Sequence, residues 1–436
     1  MVREARDRDR ALAQGIELED DATADDAAGS AVAPALYGSK IIVIHPGSQN
    51  LRIGLARDAL PKTVPMVIAR KWKESESEED GGEPKPKRLK VDTELFPEVP
   101  PEKLFGEEVN GLFVTTVLVR NAYLAIIQFD KEFASMAYDL KIHMRNNKRR
   151  VLPNSRELVV NWNKRTYPET ISEHNDPHRI DWTEIPADPS KAPEYFTGQT
   201  ALRIPDESNP RYKLFWPLRN GWFNERDHAR KNLLFNDFFL IIEEAIKREL
   251  GLRRKKDWSQ YSCVFVVPDL YERVYVTTIL DVLIREFGFS RVCFIQESLA
   301  ATFGGGFSIS CVVDVGAQKT SICCVDEGMC VEESRINLKY GGADVTETFI
   351  KMMLHDHFPY EEINLKVRHD MLLADELKHR FCTLNENDVS VQLYEFHLRA
   401  AGHDTRRYTF RTYDETMLAP MVRTELARHV GLGPRI

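Results

Sequence analysis

Apolar and polar positions organise this chain around two similar blocks. In residues 40–56, KIIVIHPGSQNLRIGLA, apolar runs at 41–44 and 51–56 flank the turn residues Pro46, Gly47, Ser48, Gln49 and Asn50. Residues 311–325, CVVDVGAQKTSICCV, repeat the arrangement, with runs at 311–313 and 320–325. Each run has the length of a buried strand bounded by turn chemistry, so each block predicts strand, tight turn, strand. In the second block Asp314 ends the first strand, and Val315, Gly316, Ala317, Gln318 and Lys319 carry the chain round. A tight turn directs successive backbone N–H groups into one concavity that suits phosphate. A carboxylate beside it suits Mg²⁺ held through water, and Asp314 has that position.

The rest of the pattern alternates strands and helices. Residues 64–70 predict a third strand after the first block. Apolar positions Leu234, Phe238, Ile241, Ile242 and Ala245 have helical spacing over 233–250, and Gly251 stops that helix. Residues 263–267 and 292–295 predict buried strands, with a helix over 274–287 between them whose core face is Val274, Ile279, Val282, Leu283 and Phe287. Gly304, Gly305 and Gly306 then fit a hinge before the second block. Beyond it, 331–338 reads as a strand, Gly341 and Gly342 open a helix where backbone could approach a ligand, and 371–381 is a helix carrying Lys378. Residues 391–398 and 407–411 alternate as strands, and no further sheet is legible after them. This order predicts an α/β chain.

Three stretches break the pattern. Residues 1–38 are charged and then Ala/Asp-rich, which predicts disorder or a short helix. Residues 72–104 are acidic and turn-rich, then carry Lys85, Lys87, Arg88 and Lys90 in a compact run that reads as a nuclear import signal. Residues 111–129 are the most apolar stretch and approach the roughly 20 residues of a membrane span. Arg120 and Asn121 at its centre would be costly in lipid, so no membrane association is expected. A helix over 131–150 ends in Lys141, His143, Arg145, Lys148, Arg149 and Arg150, with Trp162, Lys164 and Arg165 further on. This is either a solvated helix end or a contact for a nucleic-acid backbone. His174 and His178 are too irregularly placed for a metal site.

Composition narrows the class. A chain of 436 residues can bury a substantial core over two or three domains. Its net charge of −8 excludes a uniformly basic nucleic-acid binder, so such contacts must be local. The seven cysteines lie between 263 and 382, mostly in apolar runs and without a zinc-spaced CxxC pair. They read as reduced core thiols of an intracellular protein. The N-terminus lacks the apolar core of a secretory signal.

The segments IIVIHPGSQNLRIGLARDALPKTVPMVIAR (41–70), IQESLAATFGGG (295–306), CVVDVGAQKTSICCV and LKYGGADVTETF (338–349) occur in an order that resembles the actin-related proteins of the actin/sugar-kinase/heat-shock-ATPase superfamily. The stretch 195–223, with Trp216-Pro217-Leu218-Arg219-Asn220-Gly221, resembles the segment joining the halves of that family's first domain. The resemblance implies a bilobal ATPase fold built on duplicated ribonuclease-H-like sheets. The first lobe would span 39–303, interrupted by an insertion region at 72–194, and 304–436 would form a partial second lobe. It also implies ATP and Mg²⁺ as ligands, with Gly47, Ser48, Gln49, Arg52, Asp314, Val315, Gly316, Ala317, Gln318, Lys319, Gly341, Gly342 and Lys378 around the nucleotide.

The same comparison implies weak chemistry. Asp314 matches the second-turn acid, Gln296 the water-positioning glutamine, Arg52 a phosphate-clamping lysine and Lys378 a lysine at the adenine. His45 stands in place of the first-turn acid, Gln49 and Gln318 in place of glycines, Ala317 in place of a second acid and Ser321 in place of a water-orienting histidine. Phosphoryl transfer depends on positioning and charge stabilisation. If the loss of one magnesium-organising acid and the loss of the histidine cost about 2–3 kcal/mol each, hydrolysis falls by roughly four orders of magnitude. The resemblance further implies a non-catalytic nuclear subunit of a chromatin-remodelling complex of the inositol-requiring type, acting in transcription and DNA repair. Its expected partners are the motor subunit, other actin-like proteins, histones and nucleosomal or linker DNA. The alternative is an active actin-like ATPase or sugar kinase.

Overall fold

The computed structural model describes residues 38–71 and 112–421, apart from 148, 150–151, 173–174, 187 and 229; for 112–128 it describes the helical backbone alone. The expected N-terminal tail, the import-like run Lys85, Lys87, Arg88 and Lys90, and the last residues of the chain lie outside the described residues. In chain order the elements are β1 (Ile41–Pro46), β2 (Asn50–Leu55), β3 (Lys62–Pro65), β4 (Ile68–Lys71), α1 (Leu112–Asn146), α2 (Ser155–Asn163), β5 (Glu169–Ile171), β6 (Tyr195–Thr197), α3 (Gln199–Leu202), β7 (Tyr212–Phe215), β8 (Leu218–Arg219) and β9 (Trp222–Phe223). They continue with α4 (Lys231–Glu249), α5 (Lys255–Trp258), β10 (Ser262–Val267), α6 (Arg273–Asp281), β11 (Arg291–Gln296), α7 (Glu297–Gly304), β12 (Ser310–Val315), β13 (Thr320–Asp326), β14 (Met329–Cys330), β15 (Ile336–Leu338), α8 (Gly342–His355), α9 (Arg368–Phe381), β16 (Gln392–Leu398), β17 (Thr405–Thr412) and α10 (Glu415–Leu418).

Both expected hairpins form. β1 and β2 pair antiparallel, Ile44 opposite Ile53, and β12 and β13 do the same, Val313 opposite Ile322. Each gains a third antiparallel strand, β3 on β2 and β15 on β13. The first unit is completed on its other side by parallel β10 and β11, giving the order β11-β10-β1-β2-β3. Among the described residues no strand lies beyond β12, and Val313 and Val315 on it are 57% and 67% exposed.

Burial follows the alternation in the first sheet. Ile42, Ile44, Leu51 and Ile53 point inward and meet Phe238, Ile241, Ile242 and Ala245 of α4, so the apolar stripe read from the sequence is the contact face. Gly251, at φ +70°, follows the helix end as expected. The next helix differs. α6 runs into one π-helical turn, Val282–Glu286, and Val274, expected in the core, is 72% exposed, whereas Ile279, Leu283 and Phe287 are buried. The extra residue in a π turn rotates the face, so the first turn no longer lies over the sheet.

Residues 129–163 pack against the C-terminal half. Phe133, Met136, Leu140 and Met144 of α1 and Val159 of α2 share one core with Phe349, Met352 and Met353 of α8, Leu377 of α9, Phe396 of β16 and Phe410 of β17. β5 extends the β16–β17 pair, Thr170 opposite Arg406. The helix expected over 131–150 instead starts at Leu112 and ends at Asn146. Among the described residues no helix is long and apolar enough to cross a membrane.

Candidate functional site

The two hairpin turns meet across one cleft. Gly47 donates its N–H to the carbonyl of Asn50 at 2.9 Å, and Gly316 donates to the carbonyl of Lys319 at 2.8 Å, so each turn is closed by its own backbone. A third segment joins them. The Gly221 N–H donates to Ser48 Oγ at 3.0 Å, and the Asn220 N–H donates to Gln318 Oε1 at 3.0 Å. Gly221 has φ +78°, and a Cβ there would stand 2.5 Å from Lys319 Cδ, so the close approach needs glycine twice over.

Together these turns line a cavity of about 340 Å³, within the range of small-ligand sites. Of the expected site residues, Gly47, Ser48, Gln49, Arg52, Asp314, Val315, Gly316, Ala317, Gln318, Lys319, Gly342 and Lys378 all border it. Asp314 is exposed in that wall beside the second turn, a placement that fits Mg²⁺ held through water.

Gly341 departs from the expected arrangement. It is not in the cavity wall; a Cβ on it would stand 2.5 Å from the Gly316 carbonyl oxygen. The N–H groups of Gly342 and Ala343, at the start of α8, donate to the carbonyls of Gly316 and Ala317 at 2.9 and 2.7 Å. The glycines thus let α8 dock on the second turn, and these two amides are already bonded to protein. Gln296 also differs: its Nε2 donates to the backbone carbonyl of Asp269 at 3.3 Å, and Glu297 is the side chain that borders the cavity. Ser321 is buried on β13 and does not border it.

Sequence reading missed the acids that organise the charges. Glu297 Oε2 accepts from Lys319 Nζ at 2.7 Å, and its Oε1 lies 3.2 Å from His45 Nε2. Burial pushes the Glu297 carboxyl up, but the His45 hydrogen bond and the Lys319 charge outweigh it and hold it below its ordinary value. Asp375 on α9 accepts from Lys378 Nζ at 2.6 Å and from Gln49 Nε2 at 3.4 Å, linking the first turn to the far wall. Lys319 and Lys378, expected to face the ligand, therefore each carry an acid partner inside the cleft. A negatively charged ligand must compete with Glu297 and Asp375 for them.

A buried arginine ties α9 to residues 204–212. Arg368 of α9 donates through Nη1 to the Ile204 carbonyl at 2.9 Å and through Nη2 to the Tyr212 carbonyl. His369 Nδ1 lies 3.2 Å from Asp206 Oδ2 beside it.

The actin family profile matches residues 38–399. The chain belongs to the actin family. It is similar to the probable actin-related protein 8 of Schizosaccharomyces pombe, 40% identical over 383 residues that cover 88% of this chain and 53% of that protein. Similar too are the actin-like protein ARP8 of Saccharomyces cerevisiae, at 36% over 87% of this chain and 39% of that protein, and actin-related protein 8 of Homo sapiens, at 35% over 87% and 55%. The chain thus spans about half the length, or less, of these relatives. Among solved structures, human actin-related protein Arp8 in its ATP-bound state superposes with a TM-score of 0.72 at 31% identity, covering 92% of this chain and 73% of that one. The fold of this actin-family chain is accordingly actin-like, with mixed α/β architecture and several sheets.

Proposed function

We propose that this actin-family chain binds ATP without turning it over and serves as an interaction subunit of a nuclear chromatin-remodelling complex of the inositol-requiring type. The observation that carries the reading is the Glu297–Lys319 pair between the two turns. The turns offer a phosphate-sized concavity, yet the lysine between them is held by a buried carboxylate that also holds His45. Such a site keeps a nucleotide as a structural element, because the groups that would stabilise charge in a transition state are already engaged. When bound, ATP would lie between the turn of Ser48 and the turn of Gly316, with Asp314 holding Mg²⁺ through water.

The ATP-bound state named for the human structure supports the ligand. The import-like run Lys85, Lys87, Arg88 and Lys90 supports the nuclear location. In this reading the partners are the remodeller's motor subunit, other actin-like proteins, and histones or linker DNA, and the roles are transcription regulation and DNA repair.

The deciding experiment is a phosphate-release assay with ATP and Mg²⁺. No release above background is expected, together with a raised melting temperature. Turnover on the order of 1 per second would instead make the chain an ATPase or sugar kinase. For location, a fluorescent fusion with Lys85, Lys87, Arg88 and Lys90 replaced by alanine should leave the nucleus; unchanged nuclear signal would contradict the import reading.

A further inference from the structure

Away from the cleft cavity, the two sheets approach each other through three metal-binding side chains. Asp269 follows β10, Cys323 lies on β13 and Cys330 on β14, and their ligand atoms all stand within 4.8 Å of one another. β14 pairs with β13 so that Cys330 is opposite Val325, two residues from Cys323. The two-residue spacing puts both thiols on one face of the sheet. Asp269 and Cys323 are 2% and 0% exposed, whereas Cys330 is half-buried on its short strand and gives access from solvent.

We propose that Asp269, Cys323 and Cys330 form a zinc site that clips the first sheet to the second. Two thiolates, one carboxylate and a water make a four-coordinate shell. Around a tetrahedral ion with Zn–S near 2.3 Å, sulfurs stand about 3.8 Å apart. The observed cluster is within small side-chain rotations of that spacing.

The surroundings support it. The Asp269 carboxylate is oriented by Ser298, whose N–H donates to Oδ1 at 3.0 Å and whose hydroxyl donates to Oδ2 at 2.6 Å. Hydrogen bonding of this kind fixes a ligating carboxylate and leaves lone pairs for a metal. Arg335 reaches the same place, its Nη2 donating to the Cys330 carbonyl at 3.1 Å, and its Nε is buried without a hydrogen-bond partner. Zn²⁺ entering the site replaces two thiol protons, which leave to solvent as two S–H bonds give way to two Zn–S bonds. No electrons are transferred. The added charge of +2 is cancelled by the two thiolates. Soft sulfur donors with one carboxylate favour zinc over magnesium or calcium.

The test is a Co²⁺ titration of the whole chain, reduced and freed of metal, followed by Zn²⁺ competition. A thiolate-to-cobalt charge-transfer band should saturate at one equivalent, and Zn²⁺ should bleach it and raise the melting temperature. Cys330→Ser, at a half-exposed edge, should weaken Co²⁺ binding by about tenfold or more, with an unchanged far-ultraviolet circular dichroism spectrum. Cys311→Ser should leave the band intact, because Cys311 faces Cys324 across the other strand pair. The site is overturned if no thiolate band forms in excess Co²⁺, if Cys330→Ser binds Co²⁺ with the parent's affinity and band intensity, or if the band disappears in Cys311→Ser.

Discussion

Lys319 Nζ stands 2.7 Å from Glu297 Oε2, and both side chains are less than 10% exposed. A lysine in the turn after β12 is thus neutralised by an acid at the start of α7. Breaking a buried pair by removing one partner typically costs about 3–5 kcal/mol, because the other charge is left uncompensated. Lys319→Met should destabilise the chain by about that amount in urea unfolding, and adding Glu297→Gln should recover part of the loss.

The same pair sets a pH dependence. The folded Glu297 carboxyl lies below its unfolded value, so its contribution to stability is complete above the ordinary glutamate pKa. It is lost as the pH falls through the depressed folded value. Urea midpoints measured across the acid range should drop less steeply in Glu297→Gln than in the parent chain.

Gly221 is the second sensitive point. Alanine there would combine a positive φ with contact at Lys319 Cδ. The backbone strain alone costs on the order of 1–3 kcal/mol. Gly221→Ala should lower stability by about that much and weaken nucleotide binding, since displacement of residue 221 also breaks its bond to Ser48. Thermal melts with and without ATP separate the two effects.

The Arg368 clamp predicts a local effect. Arg368→Met removes charged donors from the carbonyls of Ile204 and Tyr212, bonds worth about 1.5–3 kcal/mol each. Amide exchange should quicken in β7 and α3 while the sheet of β1 and β10 stays protected. His369 adds a pH term of opposite sign to that of Glu297. Its hydrogen bond to Asp206 raises its pKa above the ordinary histidine value against the opposing effect of burial. That contribution is complete below the unfolded value and lost as the pH rises through the folded one. Protection factors in β7, corrected for the intrinsic base-catalysed rate, should therefore fall on the alkaline side of that range.

The sequence revealed the two turns because period-two alternation and turn residues are local signals, and Ser48 and Gly316 do border one cavity. It did not reveal Glu297 or Asp375. Each is an ordinary acid on a helix, and its role comes from residues far along the chain. Gly341 was legible as a special position but not in its purpose: close backbone packing and ligand approach both call for glycine, and only the position of the Gly316 carbonyl separates them. The packing of α1 was hidden for a similar reason. Its apolar face is clear, yet nothing local says that Phe133 meets the core of α8 and β17. Phe133→Ala should cost about 3–5 kcal/mol in that half, read as a lower urea midpoint.

Calorimetric titration with ATP and Mg²⁺ tests most directly whether the turns of Ser48 and Gln318 hold one triphosphate between them. Gln318→Glu keeps the oxygen that accepts from Asn220 and adds one negative charge to the cavity wall. The parent chain should bind one ATP, and the variant should bind about tenfold more weakly or worse, as expected for a like charge within a few ångströms. Absence of binding to the parent chain, or equal affinity in the variant, would contradict the account.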